Sequence, residues 1–229
     1  MNILCINTST GQYSLAIMSD ESLLAEYILP SGSSRYSGIM PSLDDLLAKT
    51  GLMPQELGGL TVALGPGSFT GIRIGLSIIK GLSESLDIPV VGVPTLEAMA
   101  NQLFCAHKDI CPLVGSRHGE VFTALFRWNK HGELLRVKKD TCVKITEIAT
   151  LLENKTVFIG NNLAQQGPLL KRLLGTNTLL AASNLWTLRA SSVGMVGLKR
   201  LLKGESDDSS ELVPLYLRGA DIRPPKNKF

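Results

Sequence analysis

The sequence predicts an α/β protein in which helices pack on a mixed β-sheet, and three observations support this prediction. First, residues 3–29 contain three short apolar runs separated by tight turns, a pattern typical of an antiparallel meander. Second, apolar runs then alternate with segments of helical periodicity as far as residue 106. Third, 229 residues with 44% hydrophobic and 19% charged side chains suffice for one large domain or two small lobes with a buried core.

The elements of the first half are predicted from local signals. Strands are expected over residues 3–6, 13–18, 23–29, 60–64 and 89–93, and helices over 36–50, 70–86 and 95–106. Gly51 stands where the C-cap of the first helix belongs, and Thr95 is the expected N-cap of the third. The order β-β-β-α-β-α-β-α indicates a mixed sheet, because a meander is followed by alternating strands and helices.

The second half is organised more loosely. Strands are expected over 110–115, 121–128, 134–137, 156–160 and 212–217, and helices over 145–152, 163–174 and 188–202. We therefore predict an N-terminal lobe over residues 1–106 and a smaller C-terminal lobe over residues 107–229. The last predicted helix is a candidate to cross back to the first lobe.

Composition and short motifs exclude several classes of protein. The net charge of +3 is small and scattered, partly in the tail at Arg223, Lys226 and Lys228, so it does not by itself predict nucleic-acid binding. No apolar run reaches the roughly 18 residues of a membrane span, and the first residues lack the basic start of a signal peptide. The four cysteines form no CxxC and the three histidines no zinc motif. The sequence therefore predicts a reduced, cytoplasmic protein without a membrane segment.

The glycine-rich loop over residues 65–71 is the strongest motif. It stands between a strand and a helix, where backbone N–H groups and the helix dipole can hold an anion. Its spacing nevertheless matches none of three known motifs. A Walker loop needs a lysine after the last glycine, and no lysine follows Gly71. A dinucleotide-binding fingerprint needs a glycine at position 70, and a nucleophile elbow needs one at position 66, where this chain has Thr70 and Pro66. Two interpretations stay open: phosphate contact through Gly65, Gly67 and Ser68, or a tight turn with Ser68 as the helix N-cap.

A polar turn follows the first strand and consists of Asn7, Thr8, Ser9 and Thr10. In actin-like ATPases an acidic turn at this place holds a metal ion and phosphates. An amide is a far weaker magnesium ligand than a carboxylate, so Asn7 argues against a metal site here. The four residues are either polar contacts for a phosphate or an ordinary β-turn.

Two helices carry more apolar surface than a single core face needs. The helix over 70–86 is apolar around much of its circumference and holds small residues that let another backbone approach, and the helix over 36–50 is its natural neighbour. This surface is either fully buried core or one half of an interface. Under the interface hypothesis the contact residues are Ile39, Leu43, Leu46, Phe69, Ile72, Arg73, Leu76, Ile79, Lys80 and Ser83.

No catalytic set emerges from the sequence. Glu97, Glu120 and Asp140 have no spacing that makes a carboxylate pair, and no histidine is placed to activate a cysteine or a serine. The residues alone therefore favour a binding or scaffold protein over an enzyme, and a hydrolase that uses Ser68 is the least favoured alternative.

The segment over residues 63–75, Ala-Leu-Gly-Pro-Gly-Ser-Phe-Thr-Gly-Ile-Arg-Ile-Gly, closely resembles the signature of the TsaB (YeaZ) family. Residues 7–10 match that family's Asp-Thr-Ser/Thr turn, and residues 94–96, 117–122 and 214–218 resemble three further family motifs. The departures from the family pattern are Asn7 for aspartate, Gly115-Ser116 for Asp-Ala, Phe122 for tyrosine and Arg35 for histidine. These changes affect polar turns and leave the apolar helices untouched.

This resemblance implies a two-lobed actin-like (ASKHA, ribonuclease H-like) fold with mixed sheets flanked by helices. It also implies a non-catalytic scaffold that pairs with the catalytic relative TsaD, and with the ATPase TsaE, in forming threonylcarbamoyladenosine at position 37 of tRNAs reading ANN codons. In the absence of TsaD the family forms a homodimer through the same surface, which involves the helices around 36–50 and 70–86.

The resemblance further implies that no metal and no tightly bound cofactor belong to this chain, since ATP and magnesium are used by the assembled complex. tRNA is expected to meet the chain only through that complex, and no contact with a membrane is expected. The alternative from another class is a small ATP-dependent actin-like kinase built on the two polar turns, which would turn over ATP with magnesium.

Overall fold

The computed structural model describes residues 1–29, 37–104, 106–175 and 178–218. The strands are β1 (Asn2–Asn7), β2 (Tyr13–Ser19), β3 (Ser22–Leu29), β4 (Gly59–Gly65), β5 (Val90–Pro94), β6 (Asp109–Gly115), β7 (Glu120–Trp128), β8 (Leu134–Lys144), β9 (Thr156–Gly160) and β10 (Leu179–Leu180). The α-helices are α1 (Ile39–Thr50), α2 (Phe69–Leu86), α3 (Thr95–Asn101), α4 (Leu163–Leu174) and α5 (Ala190–Leu201). Short 3-10 helices lie at Pro54–Glu56, Ile145–Leu151 and Ser183–Leu185. Within these described ranges, no helix combines the length and the apolar character that a membrane span requires.

The strands form two five-stranded mixed sheets. In the first, β1, β2 and β3 make the predicted antiparallel meander, and β4 and β5 add parallel strands in the order β3-β2-β1-β4-β5. The second sheet repeats this plan, with antiparallel β6, β7 and β8 and parallel β9 and β10 in the order β8-β7-β6-β9-β10. This arrangement confirms the predicted α/β class with mixed sheets flanked by helices.

Helices α1 and α2 cover one face of the first sheet. Their inward side chains join those of β1, β2 and β4 in one apolar cluster, which includes Leu4, Leu15, Leu46 and Ile79. The 3.6-residue helical period places the inward positions of each helix on one stripe, and the period of two places alternate strand residues on the same face. Burial of each such aliphatic side chain contributes about 1.5–3 kcal/mol to stability.

Helices α3 and α5 cover the opposite face. The last helix, α5, crosses back to the first sheet, where it packs on β1, β2, β4 and β5. Two glycines permit this close packing, because a Cβ added at Gly194 would lie 2.5 Å from the sulfur of Met18 and one at Gly197 would lie 2.5 Å from a methyl carbon of Thr61. A larger residue at either position would push the helix away from the sheet.

Four predicted elements differ from the structure. The strand predicted over 134–137 continues to Lys144 as β8. The segment over 212–217 forms no strand, because its backbone link to the first sheet is one bond, from the Leu215 N–H to the Leu64 carbonyl at 2.8 Å. The helix over 95–106 ends at Asn101, and the helix over 145–152 is a 3-10 helix. The predicted start of α1 at residue 36, Arg35 and the tail cations lie outside the described residues.

Thr95 does not cap α3 as predicted. The helix begins directly after Pro94, which makes no side-chain cap. The Thr95 hydroxyl instead accepts a hydrogen bond of 3.1 Å from the Gly65 N–H, thirty residues earlier in the chain. The prediction is wrong because a tertiary partner uses the hydroxyl that a local motif would have used.

Candidate functional site

A cleft of about 610 Å³ opens between the two sheets, at the ends where β1, β4, β6 and β9 finish. Five segments line it, namely the turn after β1, the glycine-rich loop after β4, the β6–β7 hairpin, Asn161 after β9 and residues 215–218 near the chain end. Parallel strands bring their carboxyl ends to one edge of a sheet, which explains why loops distant in sequence meet here.

Most polar side chains of the turn after β1 form internal hydrogen bonds, whereas the buried Thr8 hydroxyl has no partner among the described residues. Asn7 is fully buried, and its side-chain N–H₂ donates to the Leu188 carbonyl at 3.0 Å and to the Thr10 hydroxyl at 3.3 Å. Its amide oxygen accepts from both the N–H and the hydroxyl of Ser9, at 3.0 and 2.8 Å. Thr8 is equally buried and aims at Gly75 of α2. These hydrogen bonds therefore shape the turn, in which Ser9 and Thr10 line the cleft while Asn7 and Thr8 lie behind them.

The glycine-rich loop packs directly on this polar turn. A Cβ added at Gly67 would collide with the Ser9 carbonyl oxygen, and the Ser68 N–H donates to that same oxygen at 2.7 Å. The Ser68 hydroxyl accepts from the Gly71 N–H at 3.2 Å, which confirms the prediction that Ser68 caps α2. The glycines thus allow close contact between two loops, so the interpretation of this motif as a tight structural turn is the one the geometry favours.

The actin-like fold family uses such a cleft for a metal-bound nucleotide, and the residues present do not fit that group. The described lining residues include no carboxylate, which is the ligand type that magnesium prefers. Asn7 stands at the position of the aspartate found in actin-like ATPases, and its side-chain amide already donates a hydrogen bond to the Leu188 carbonyl. No cluster of three candidate metal ligands occurs elsewhere in the described part of the chain.

The segment near the chain end bridges the two lobes at the mouth of the cleft. The Tyr216 ring stacks on Phe69 with ring centroids 4.9 Å apart, and its hydroxyl accepts from the Arg73 Nε at 2.9 Å. The Arg73 guanidinium also lies 3.8 Å above the Phe69 ring. Two residues later, Arg218 forms an ion pair with Glu120 of β7. The start of α2 is therefore tied to the second sheet through residues 216–218.

Most of the predicted interface residues lie in the core. Seven of them are covered by the chain itself and cannot offer contact atoms on a free surface: Ile39, Leu43, Leu46, Ile72, Leu76, Ile79 and Ser83. These seven residues lie on the inward flank of each helix. Apolar residues occur on both flanks, and periodicity does not say which one the sheet covers. Phe69 and Arg73 are exposed but engage Tyr216, and Lys80 donates to the Ser210 carbonyl at 3.1 Å.

The outer flank of α2 presents a second apolar stripe. Ile74, Ile78 and Leu82 follow each other at four-residue spacing and are half-buried at the edge of the core. Beside them, Ser77 and Gly81 are exposed, and a Cβ added at Gly81 would meet no atom within 4 Å. Branched aliphatic side chains next to small ones form the ridge and groove into which a second helix packs. We call Ile74, Ser77, Ile78, Gly81 and Leu82 the α2 stripe.

The three carboxylates considered at the sequence level are ion-paired. Arg136 contacts Glu97 at 3.0 Å and also pairs with Asp140, so two carboxylates distant in sequence share one guanidinium. Burial raises the pKa of Asp140 and Arg136 opposes that rise. Sequence reasoning missed Arg136 because Glu97 reaches it only through the contact of α3 with the second sheet, whereas Asp140 lies four residues along the same strand. The arrangement is a structural ion-pair network rather than an acid–base pair.

Comparison of the sequence with known proteins identifies the family. The chain matches the family described as "TsaD: tRNA N6-adenosine threonylcarbamoyltransferase" over residues 27–214. It is 33% identical over 226 residues to the tRNA threonylcarbamoyladenosine biosynthesis protein TsaB of Bacillus subtilis, covering 96% of each chain.

Two solved structures share the fold. YeaZ from Pseudomonas aeruginosa has a TM-score of 0.80 at 20% identity, covering 94% of this chain and 99% of that one. The activator of 2-hydroxyisocaproyl-CoA dehydratase from Clostridium difficile has a TM-score of 0.53 at 12% identity, covering 91% and 99%. These likenesses agree with the predicted actin-like fold.

Proposed function

The chain belongs to the TsaB family of tRNA threonylcarbamoyladenosine biosynthesis proteins, and from this premise we propose that it is a non-catalytic subunit that pairs with a TsaD-type transferase. The absence of a catalytic arrangement among the described cleft residues supports a role in assembly rather than in chemistry.

The α2 stripe is the observation that supports pairing. The half-buried row of Ile74, Ile78 and Leu82, flanked by the exposed Ser77 and Gly81, leaves part of its apolar area in water unless another helix covers it. The flank of α2 that adjoins Ser77 is contacted by residues 209–216 of the same chain, through Glu84, Lys80 and Arg73. A partner helix would therefore approach from the stripe side, next to the exposed face of α1 that carries Met40.

The same surface would serve other contacts of the assembly. In the absence of the transferase, a second copy of the chain would cover the stripe and form a homodimer. An ATPase of the TsaE type would join the pair, ATP and magnesium would be used by the assembled complex, and tRNA would meet the chain within that complex in the cytoplasm.

The experiment tests pairing with a variant that leaves the core intact. Gly81→Arg places a long side chain into open space on α2, so the monomer should stay folded while a partner helix is kept at a distance. The control is Ala164→Arg, a matched change at an exposed position of α4. The purified chain is mixed with the TsaD of its host, and the molar mass is followed by light scattering.

The wild type and Ala164→Arg should form a one-to-one complex, and Gly81→Arg should weaken it by at least about tenfold. Thermal unfolding of each variant alone checks the fold. Unchanged pairing by Gly81→Arg would exclude the α2 stripe as the interface. Failure of the wild type to pair, with or without ATP and TsaE, would overturn the proposed function.

A further inference from the structure

The two lobes differ strongly in charge, although the whole chain is close to neutral. Residues 1–106 hold 4 Lys and Arg against 9 Asp and Glu, whereas residues 107–229 hold 19 against 11. The first half is thus acidic and the second half basic. A strong charge asymmetry between halves indicates that the basic half meets a polyanion.

The fold gathers part of this positive charge at one end of the second sheet. Lys108 and Lys155 directly precede β6 and β9, and the parallel pairing of Asp109 with Thr156 makes these two lysines neighbours. Lys130 lies in the β7–β8 hairpin, which turns at the same end. Helix α4 runs back from the cleft end of β9, so Lys171 and Arg172 in its last turn arrive there too. We call these five residues the distal surface, since they lie at the end opposite the cleft.

The cations of the distal surface form no ion pair within the described part of the chain, and all five are exposed. Two nearby carboxylates are already ion-paired, Asp109 with Arg127 at 2.5 Å and Glu153 with Lys138 at 2.8 Å, and a third, Glu133, accepts from the Asn129 side chain at 2.7 Å. Positive charge that no carboxylate offsets is available for phosphate groups.

An exposed aromatic ring adjoins the distal surface. Phe104 is 68% exposed and lies edge-on to Trp128, the last residue of β7, with ring centroids 5.0 Å apart. The Trp128 indole N–H donates to the Leu103 carbonyl at 2.8 Å, which holds this corner in place. Lys199 of α5 lies 5.9 Å from the Trp128 ring centroid and adds a further cation. An aromatic face beside lysines is the pattern on which an unpaired base stacks while its phosphates are held.

We propose that the distal surface, together with Phe104, binds the phosphate backbone and an unpaired base of RNA, and that it gives this chain a direct contact with the tRNA substrate of the assembly. The identification of the RNA as tRNA rests on the proposed function. The exposed ring favours RNA over an acidic protein surface, because a carboxylate-rich partner would need the lysines alone. This assigns the basic half of the chain to substrate and the acidic half to the protein partner.

The test compares two charge-matched double variants. Lys108→Gln with Lys155→Gln removes two neighbouring cations of the distal surface, and Lys139→Gln with Lys144→Gln removes two exposed lysines of β8 that also form no ion pair among the described residues. Binding of a fluorescent, unmodified tRNA transcript is measured by anisotropy between 50 and 200 mM salt, chosen as about the range in which phosphate contacts are lost. Each protein is assayed alone and mixed with TsaD.

The distal double variant should bind about tenfold more weakly at the upper salt concentration, with a salt slope shallower by about 1.5. The β8 double variant should stay within about twofold of the wild type. Phe104→Ala should weaken binding about fivefold without changing the slope, since stacking releases no counterions. Equal losses in the two double variants, or no loss in either, would overturn the proposal. The proposal would also be overturned if the chain bound a polyglutamate probe but did not bind RNA.

Failure of this inference is separable from failure of the proposed function. If the chain pairs with TsaD but the distal double variant binds tRNA as tightly as the wild type, only the proposed RNA surface is refuted. Conversely, a chain that never pairs, but whose RNA affinity at 50 mM salt depends on Lys108 and Lys155, refutes only the pairing. The comparison is made at about 50 mM salt because phosphate contacts are strongest at the low end of the salt range.

Discussion

The side-chain amide of Asn7 donates a 3.0 Å hydrogen bond to the carbonyl of Leu188, a residue 181 positions away in the chain. This bond joins the turn after β1 to the segment that leads into α5. Ser14 of β2 donates its hydroxyl to the same carbonyl at 3.2 Å. The first sheet and the helix that returns to cover it are therefore linked through one carbonyl oxygen in a fully buried place.

We expect Asn7→Asp to destabilise the protein. A carboxylate cannot donate to the Leu188 carbonyl, and two buried oxygens would face each other, so the free energy of unfolding should fall by about 2–4 kcal/mol at pH 7. Urea unfolding followed by circular dichroism measures this change. Asn7→Ser, which keeps a donor in less volume, should lose less. Unchanged stability of Asn7→Asp would show that the family aspartate can be accommodated here without rearrangement.

Ile79→Glu should unfold the protein rather than merely separate it from a partner. Ile79 is 0% exposed and contacts the core of the first sheet, so burial of a glutamate there should cost more than about 4 kcal/mol. Ile78→Glu on the α2 stripe is the matched change one position away, and its melting temperature should stay within a few degrees of that of the wild type. Size-exclusion chromatography and thermal melts distinguish the two. A folded Ile79→Glu monomer would contradict the assignment of α2's inner flank.

Removal of Tyr216 should release the segment that bridges the lobes. Tyr216→Ala loses the stack on Phe69 and the bond from Arg73, whereas Tyr216→Phe loses only the bond. Amide exchange at Leu215, whose N–H donates to the Leu64 carbonyl, should therefore accelerate about tenfold in the first variant and less in the second. Val213→Ala, at an exposed position of the same segment, is the control. Equal exchange rates in all three variants would show that the segment is held by other contacts.

The buried thiols should be unreactive in the native state. Burial raises the pKa values of Cys5 and Cys111 to about 12, so both remain protonated near pH 8 and inaccessible. In a Cys105→Ser background, a thiol reagent at pH 8 should modify Cys142 first and the other two only after unfolding. Rapid modification of all three in the folded protein would contradict the burial that the structure assigns to Cys5 and Cys111.

The same thiols make stability fall in alkali. An unfolded cysteine loses its proton above a pH of about 8.5, while the folded protein keeps it up to a pH of about 12, so stability is full below the lower pKa and is lost as the pH rises. Each thiol should lower the free energy of unfolding by about 1.4 kcal/mol per pH unit within this window. Urea unfolding at pH 8 to 10 measures the slope, which should be shallower by that amount in Cys111→Ala. Identical slopes would refute the shift.

Local patterns were sufficient for most of the fold. The meander, the strand–helix alternation, Gly51 as C-cap and Ser68 as N-cap depend on contacts within a few residues, and the structure confirms them. The α2 flank could not be chosen in this way, since both flanks are apolar and only the sheet decides which one is covered. Thr95 was assigned to a local cap because the linear sequence does not show the tertiary partner of its hydroxyl, which is the Gly65 N–H.

Parts of the sites depend on pairings that a linear sequence does not show. Lys108 and Lys155 become neighbours only through the register of β6 with β9, so the charge looked scattered before the strands were paired. The stack of Tyr216 on Phe69 joins residues 147 positions apart, and only the resemblance of residues 214–218 to a family motif drew attention to them. Tertiary register is the information that was missing.

The position of α5 on the first sheet has a consequence for synthesis on the ribosome. All five strands of that sheet have been translated once residue 94 is added, yet the helix that covers the face containing Cys5 and Met18 ends at Leu201. At a translation rate of roughly 5–20 residues per second, this face stays uncovered for between about 5 and 20 seconds before α5 has been synthesised. A nascent or truncated chain ending near residue 106 therefore presents an open apolar sheet, which makes it a substrate for chaperones and prone to aggregation.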